Sequence, residues 1–500
     1  MPANPLKPLN PKQFDFRKAR HLLNRAGFGG SPDQISALAN MGLEAAVHYI
    51  VHYHEIKTEP VEADRFDHDI MKPRAPQQQK ELQRARREGD EAILERFRKE
   101  RQQRQRRDRR QLADLQSWWL QRMIETPRPL EEKMTLFWHG HFATGYRAIQ
   151  DSYHLFRQNQ FFRANATGNF RNLVQGIIRD PAMIRYLNNN QNRRQAPNEN
   201  LARELMELFT LGEGHDYTEH DIKEGARALT GYTFQDDDFI FRPRLHDRKS
   251  KTILGQKGFW DGDDFVNIIL SRDVASEYLC FKLHRYFVND APAMHDTAPQ
   301  AKRYILAMAK LFRERDYDLS VLLQTMFTSE YFYDDSNIRH VIKSPVQLVV
   351  QAIRTLHTPV RSLKALLDAC SLMGQNIFNP PSVKGWEGGV AWINTSSLFM
   401  RQNVLVYLLT GRRPNDLPWD TDLQDYDAMP IIAHLRDAQG LFRTDEVLAY
   451  LLKLNLGDAP HAQRMESLKS LMNEHRGDLD NPILIALLCL ITSMPEYQLM

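Results

Sequence analysis

His139 and His141 bracket a single glycine at the end of an apolar helical stretch, Pro127 to Phe142. Imidazole is a common ligand of zinc and other divalent ions. Residues two apart on an α-helix point about 200° apart, so the pair reaches one ion only if the chain leaves the helix at Gly140. We expect the helix to fray there, which leaves a metal pair open. The alternative is two imidazoles that cap or pack near a helix C-terminus, where histidine is favoured.

A second set lies between Pro197 and Gly212. Leu201, Leu205, Leu208 and Phe209 form a core stripe. Asn200, Glu204 and Glu207 run beside it at helical spacing, and Glu199, Arg203 and Glu207 repeat the interval. A carboxylate beside an apolar face must meet arginine, histidine or a metal, because an unpaired buried charge is costly. The set is therefore either an ion-pair network centred on Arg203, or metal ligands and a general acid/base pair.

The third set begins at Thr218, three residues before Asp221. That is a capping-box spacing and makes Asp221 structural. Arg227 projects one turn past Glu224 and can pair with a carboxylate of the previous helix. His246-Asp247 sits in a charged polar loop, which is either plain surface or the wall of a site. Trp386 and Trp392 punctuate a Pro/Gly loop over 378–403 and read as loop anchors, with a carbohydrate platform as the weaker reading.

The elements that must position these residues are helices. Apolar periodicity predicts helices over 129–139, 152–165, 169–178, 198–211, 218–231, 273–288, 298–313, 318–327, 345–357, 361–373, 397–409, 443–454, 463–474 and 481–493. Strand signals are sparse, and Tyr232–Arg242 reads as one hairpin with Asp236–Asp238 at its turn. Residues 1–14 are Pro- and Asn-rich and read as a surface arm. Residues 15–500 then form one multi-helical, all-α domain. Between Lys80 and Arg110 there are 13 basic and 7 acidic residues. We read 78–118 as a protruding, solvated basic helical insertion.

Composition removes several classes. Hydrophobic residues make up 42% and charged residues 26% of 500, which suits a folded soluble chain. No apolar run approaches the roughly 18 residues of a membrane span. Net charge is +3, too near neutral to argue for nucleic acid, and Phe97 alone among the arginines is no base-stacking platform. Cys280, Cys370 and Cys489 lack CxxC spacing and read as free, buried thiols. No Gly-rich phosphate loop, GxSxG elbow or HExxH occurs. The first thirty residues have no apolar core after their basic positions. The expectation is thus cytoplasm, or periplasm and export if a leader has been removed.

Long ordered phrases carry a family resemblance: RPLEEKMTLFWHGHFATG (128–145), DPAMIRYLNNNQNRRQAPNENLARELMELFTLGEG (180–214), YTEHDIKEGARALTGYTF (217–234), HDRKSKTILGQKG (246–258) and FNPPSVKGWEGGVAWINTS (378–396). From about His21 to the end, the chain resembles the bacterial family called domain of unknown function 1800. The resemblance implies an all-helical fold. It also implies a companion protein that looks like sulfatases and alkaline phosphatases, and export signals in many members. It marks His139, His141, Arg203, Glu204, Glu207, His246 and Asp247 as motif positions without assigning them a reaction.

Two functional expectations follow. In one, the protein is a metal-assisted hydrolase. His139, His141 and Glu204 would hold a divalent ion, Glu204, Glu207 and Arg203 would form the catalytic face, and His246-Asp247 would lie on a lid. In the other, it is a non-catalytic scaffold or partner of the companion protein, docking through the basic helix and the Trp386 loop, with the same carboxylates as buried ion pairs.

Overall fold

Short polar residues followed by proline set several helix starts. Ser31, Asp180 and Ser344 each precede a proline, and each side chain accepts a backbone N–H of the first turn. Proline suits that position because its missing N–H has no intrahelical partner to lose. The structure, a computed structural model, describes residues 4–59, 65–291, 293–415, 417–458, 460–474 and 479–500.

The first half of the chain forms α1 (Phe16–Ala26), α2 (Pro32–Met41), α3 (Leu43–Val51), α4 (Pro76–Glu88), α5 (Glu91–Glu125), α6 (Pro129–His141), α7 (Tyr146–Ile149), α8 (Ser152–Ala164), α9 (Phe170–Ile177), α10 (Pro181–Tyr186), α11 (Asn200–Glu204) and α12 (Glu219–Ala228). Two small antiparallel hairpins follow, β1 (Tyr232–Gln235) with β2 (Asp238–Phe241), and β3 (Lys251–Ile253) with β4 (Gln256–Gly258). The second half forms α13 (Gly262–Leu270), α14 (Asp273–Phe287), α15 (Pro299–Glu314), α16 (Leu319–Thr328), α17 (Pro345–Leu356), α18 (Leu363–Leu372), α19 (Thr395–Thr410), α20 (Thr444–Asn455), α21 (Ala462–Glu474) and α22 (Asn481–Ser493). The fold is all-α apart from those hairpins. No helix among the described residues is long and apolar enough to cross a membrane.

Four features differ from the sequence reading. The basic segment is a helical hairpin: α4 ends at Gly89, whose φ is +72°, and Asp90 caps α5. At 1.5 Å per residue α5 is about 52 Å long. Its first half is largely solvated, and its second half enters the core through Leu115, Trp119, Leu120 and Met123. The helix expected over 198–211 is α-helical only to Glu204 and continues as a π-helix over Leu205–Thr210. The Leu211 N–H reaches back to the Met206 carbonyl at 2.8 Å. Helix α6 does not fray at Gly140 but runs on to His141. The β3–β4 hairpin lies in what reads as polar loop. Its turn, Leu254 (φ +48°) and Gly255 (φ +81°), has the paired positive φ of a tight hairpin turn.

The centre of the fold is α6, buried on every residue but Gly140. It carries Glu131, Glu132 and Lys133, so its charges need partners inside the protein. Glu132, fully buried, accepts from Trp119 Nε1 at 2.8 Å, from Arg163 Nε and Nη2 at 2.7 and 2.9 Å, and from Arg122 Nε. Glu131 pairs with Arg122 at 3.3 Å and Arg128 at 3.4 Å. Lys133 pairs with no carboxylate among the described residues; its ammonium donates to Gln347 Oε1 on α17 and lies 5.2 Å from the ring centres of both Phe28 and Tyr286.

Candidate functional site

Because α6 stays helical through Gly140, its two histidines serve different neighbours. His139 Nε2 accepts the Phe378 N–H at 2.9 Å, and its ring packs against Trp119, Phe378 and Trp386. His141 Nε2 lies 2.9 Å from the Phe209 carbonyl, an acceptor only, so that nitrogen carries the proton and donates. Burial pushes both imidazoles down to about 3, which keeps them neutral. The Phe209 bond ties α6 to the π-helix.

That π-helix sets the acidic group. Arg203 donates to Glu219 through both terminal nitrogens at 2.8 Å, to Glu199 at 3.1 Å and to Glu207 at 3.4 Å. It therefore clamps α11 to α12 as an ion-pair centre. Glu204 differs. It is half-buried and makes no hydrogen bond or ion pair among the described residues. Burial and then Glu207 raise its carboxyl above the usual range. Among those residues, neither Glu204 nor Glu207 forms a metal-sized donor cluster with His139 and His141.

The third set is a knot that fastens the β3–β4 hairpin to α12. Asp221 closes the capping box with Thr218 and accepts the Leu254 N–H at 2.7 Å. Glu224 accepts the Thr252 N–H at 2.8 Å. Arg227 donates to Glu224 at 2.6 Å and to Asp247 at 2.8 Å, so its partners are on its own helix and the following loop, not on α11. Burial opposes ionisation of Asp247, but the Arg227 hydrogen bond, the Lys249 N–H and the nearby charges of Arg227 and Lys251 together hold the carboxyl below the usual range. His246 Nδ1 donates to the Thr230 carbonyl at 2.9 Å. Lys251 is buried beneath, donating to the Asp247 carbonyl at 2.6 Å.

One cavity of about 150 Å³ draws part of these motifs together. It lies between α6, α14, the start of α17 and the loop 375–392, with Gly140, His141 and Trp386 in its wall. Two glycines let that loop close on it. Gly385 has φ +75°, and a Cβ there would sit 2.0 Å from the Gly140 carbonyl oxygen. Gly389 has φ +56°, and a Cβ would sit 1.8 Å from Asp290 Oδ2. No side chain fits at either position.

The wall is cationic. Lys133, Lys282, Arg285 and Lys384 line it against Asp290 and Glu387. Asp290 is taken by Arg285 at 3.0 Å, and Lys384, exposed at the rim, by Glu213 at 2.7 Å. Among the described residues Lys133, Lys282 and the exposed Glu387 make no ion pair. Lys282 makes no hydrogen bond or ion pair among the described residues, and its ammonium lies over the Tyr278 ring at 5.8 Å. Burial, helped by Arg285, lowers its amine to about 8. Arg25 lies buried behind Lys133 with Nε and Nη1 unpartnered. Burial and then Arg25 hold the Lys133 amine well below the usual lysine range. Polar atoms of the wall itself also lack partners: Trp386 Nε1, Arg285 Nε and His141 Nδ1.

The sequence reading reached this cavity only through His141 and the Trp386 loop. Lys282 and Arg285 sit in an ordinary amphipathic helix, and Lys133 beside two glutamates reads as a surface charge. One signal was present. A lysine two positions after a cysteine and flanked by Phe281 and Leu283 sits in a strongly apolar run.

Comparison with known proteins agrees with the resemblance read from the motifs. No curated protein and no solved structure matches the chain. A family model described as "Protein of unknown function (DUF1800)" matches residues 21–499, which takes in α6, the π-helix, the β-hairpins and the Trp386 loop. With nearly its whole length inside that match, the chain belongs to the DUF1800 family.

Proposed function

We propose that the protein binds a small organic anion in the cavity between α6, α14 and the Trp386 loop. The observation that carries this is Lys282, a cavity-lining ammonium with no acidic partner among the described residues. An uncompensated charge away from water costs stability, and an anionic ligand is the direct way to recover it. Arg25 adds positive potential behind it. His141, whose proton is on Nε2, keeps a lone pair on Nδ1 for a ligand hydroxyl or amine. The volume suits a molecule of about ten non-hydrogen atoms or fewer, by comparison with cavities that take benzene. Calorimetry of the full chain with inorganic phosphate and with small 2-hydroxycarboxylates tests this. Binding of one equivalent that Lys282→Met abolishes is the expected result. No binding, or equal binding by the variant, refutes it.

Hydrolysis is the second reading, and Glu204 favours it: a half-buried, unpartnered carboxyl raised by burial and by Glu207 is suited to general acid work. Lys384 links it to the cavity, lining the wall while pairing with Glu213. A metal-assisted form through His139, His141 and Glu204 requires both histidines to exchange their present bonds. Metal content of the purified protein, compared with a His139→Ala, Glu204→Ala variant, tests that form: an ion lost only in the variant supports it. A role as partner of a sulfatase- or phosphatase-like protein draws support from Arg101, Arg106, Arg109 and Arg110. All four are exposed on α5, and no ion pair engages them among the described residues.

A further inference from the structure

The end of α3 and the 3₁₀ turn after it bring two imidazoles and a carboxylate together, with a third imidazole beside them, far in sequence from the cavity. His48 and His52 are four apart at the end of α3, and His54 and Glu55 lie in the turn Tyr53–Glu55. One ligand atom from each of His52, His54 and Glu55 lies within 4.8 Å of the others; among the described residues this is the one such group of three or more. His48 Nε2 is 3.4 Å from Glu55 Oε1, and the His48 and His52 ring centres are 4.3 Å apart. We propose that His48, His52, His54 and Glu55 form a binding site for a divalent transition-metal ion of the zinc type.

The donor set carries the choice of ion. Imidazole nitrogens with one carboxylate suit zinc, copper or nickel, whereas magnesium and calcium ask for oxygen ligands. His52 caps α3 one turn beyond His48, and their ring centres 4.3 Å apart put both imidazoles on one side of that helix end. The turn that supplies the other two donors is anchored from the opposite side. Tyr53 is buried with its hydroxyl 3.2 Å from Thr167 Oγ1, and the Ile56 carbonyl accepts from Arg128 Nε at 2.7 Å. A rigid turn keeps its ligands in place before the ion arrives. The neighbouring acid Asp318 does not compete, because it caps α16 through the Ser320 and Val321 N–H groups. His48, His54 and Glu55 are exposed, which leaves an entry path.

The test uses the full, tag-free chain, stripped with chelator and titrated with zinc chloride by calorimetry at pH 7.5. One equivalent is expected to bind. His52→Gln with His54→Gln is expected to weaken it at least about 10-fold, and Glu55→Gln to weaken it less. Cobalt(II) in place of zinc is expected to give the strong visible bands of a four- or five-coordinate site, absent in the double variant. These positions are at the surface, and an unchanged melting temperature in the metal-free state confirms that the variants fold. Absence of stoichiometric binding overturns the proposal. So does zinc binding that the double variant retains but His139→Ala with Glu204→Ala removes.

Discussion

Replacing Lys282 with methionine should stabilise the protein while removing its ligand. The ordinary lysine amine titrates at 10.5, and burial with Arg285 brings Lys282 to about 8. At about 1.4 kcal/mol per pH unit, the folded state at pH 7 carries a penalty of roughly 3 kcal/mol for keeping that ammonium charged. Methionine keeps the aliphatic stem and removes the charge, so Lys282→Met is expected to gain about 1–3 kcal/mol at pH 7. The sign with pH is fixed by proton count. Between about 8 and 10.5 the unfolded chain holds the proton and the folded protein does not, so this group makes stability rise with pH in that window. The advantage of the variant should therefore be full at pH 7 and mostly gone by pH 10. Urea unfolding of both proteins at the two pH values measures it, and subtraction removes every other titrating group. A variant less stable than the parent at pH 7, or an advantage unchanged at pH 10, would refute the picture of a partnerless ammonium in the cavity.

Three further outcomes are expected. Glu132→Gln takes the carboxylate from buried Arg163 and leaves half-buried Arg122 with Glu131 alone, and should cost about 3–5 kcal/mol, read as a large drop in urea midpoint; a drop near zero would mean that water reaches the Arg163 pair. Gly385→Ala places a methyl against the Gly140 carbonyl at a positive φ and should cost roughly 1–3 kcal/mol. It should also weaken anion binding, because the loop cannot seat on α6, and unchanged binding by calorimetry would contradict that. His139 and His141, both near 3 when folded and 6.5 when unfolded, contribute stability that is full above about pH 6.5 and is lost as pH falls toward 3. Nitrogen NMR should show two neutral imidazoles at pH 5.5, and titration of either near 6.5 would sink this.

Residue order was enough for the helical class and most helix bounds, because proline after serine or aspartate and the 3.6-residue apolar period are local signals. It also carried the Tyr232–Arg242 hairpin, whose turn Asp236 takes a positive φ, and the capping role of Asp221. Local signals did not give the persistence of α6 through Gly140, since a glycine reads as a stop unless neighbours pack it; Trp386 and Gly385 do so from more than 240 positions away. Nor did they give the π-helix over Leu205–Thr210, whose shifted bond pairs the Leu211 N–H with the Met206 carbonyl. The choice between ion pair and free carboxylate, or between surface lysine and cavity lysine, depends on which distant side chain comes within about 4 Å. Arg203 and Glu204 are adjacent in sequence, yet Arg203 is clamped by three carboxylates while Glu204 has no ion pair or hydrogen bond among the described residues. Helix periods are set by neighbours three and four residues away and can be read along the chain. Burial and charge pairing are set by residues hundreds of positions apart, and only packing of α6 against α14, α17 and the Trp386 loop decided them.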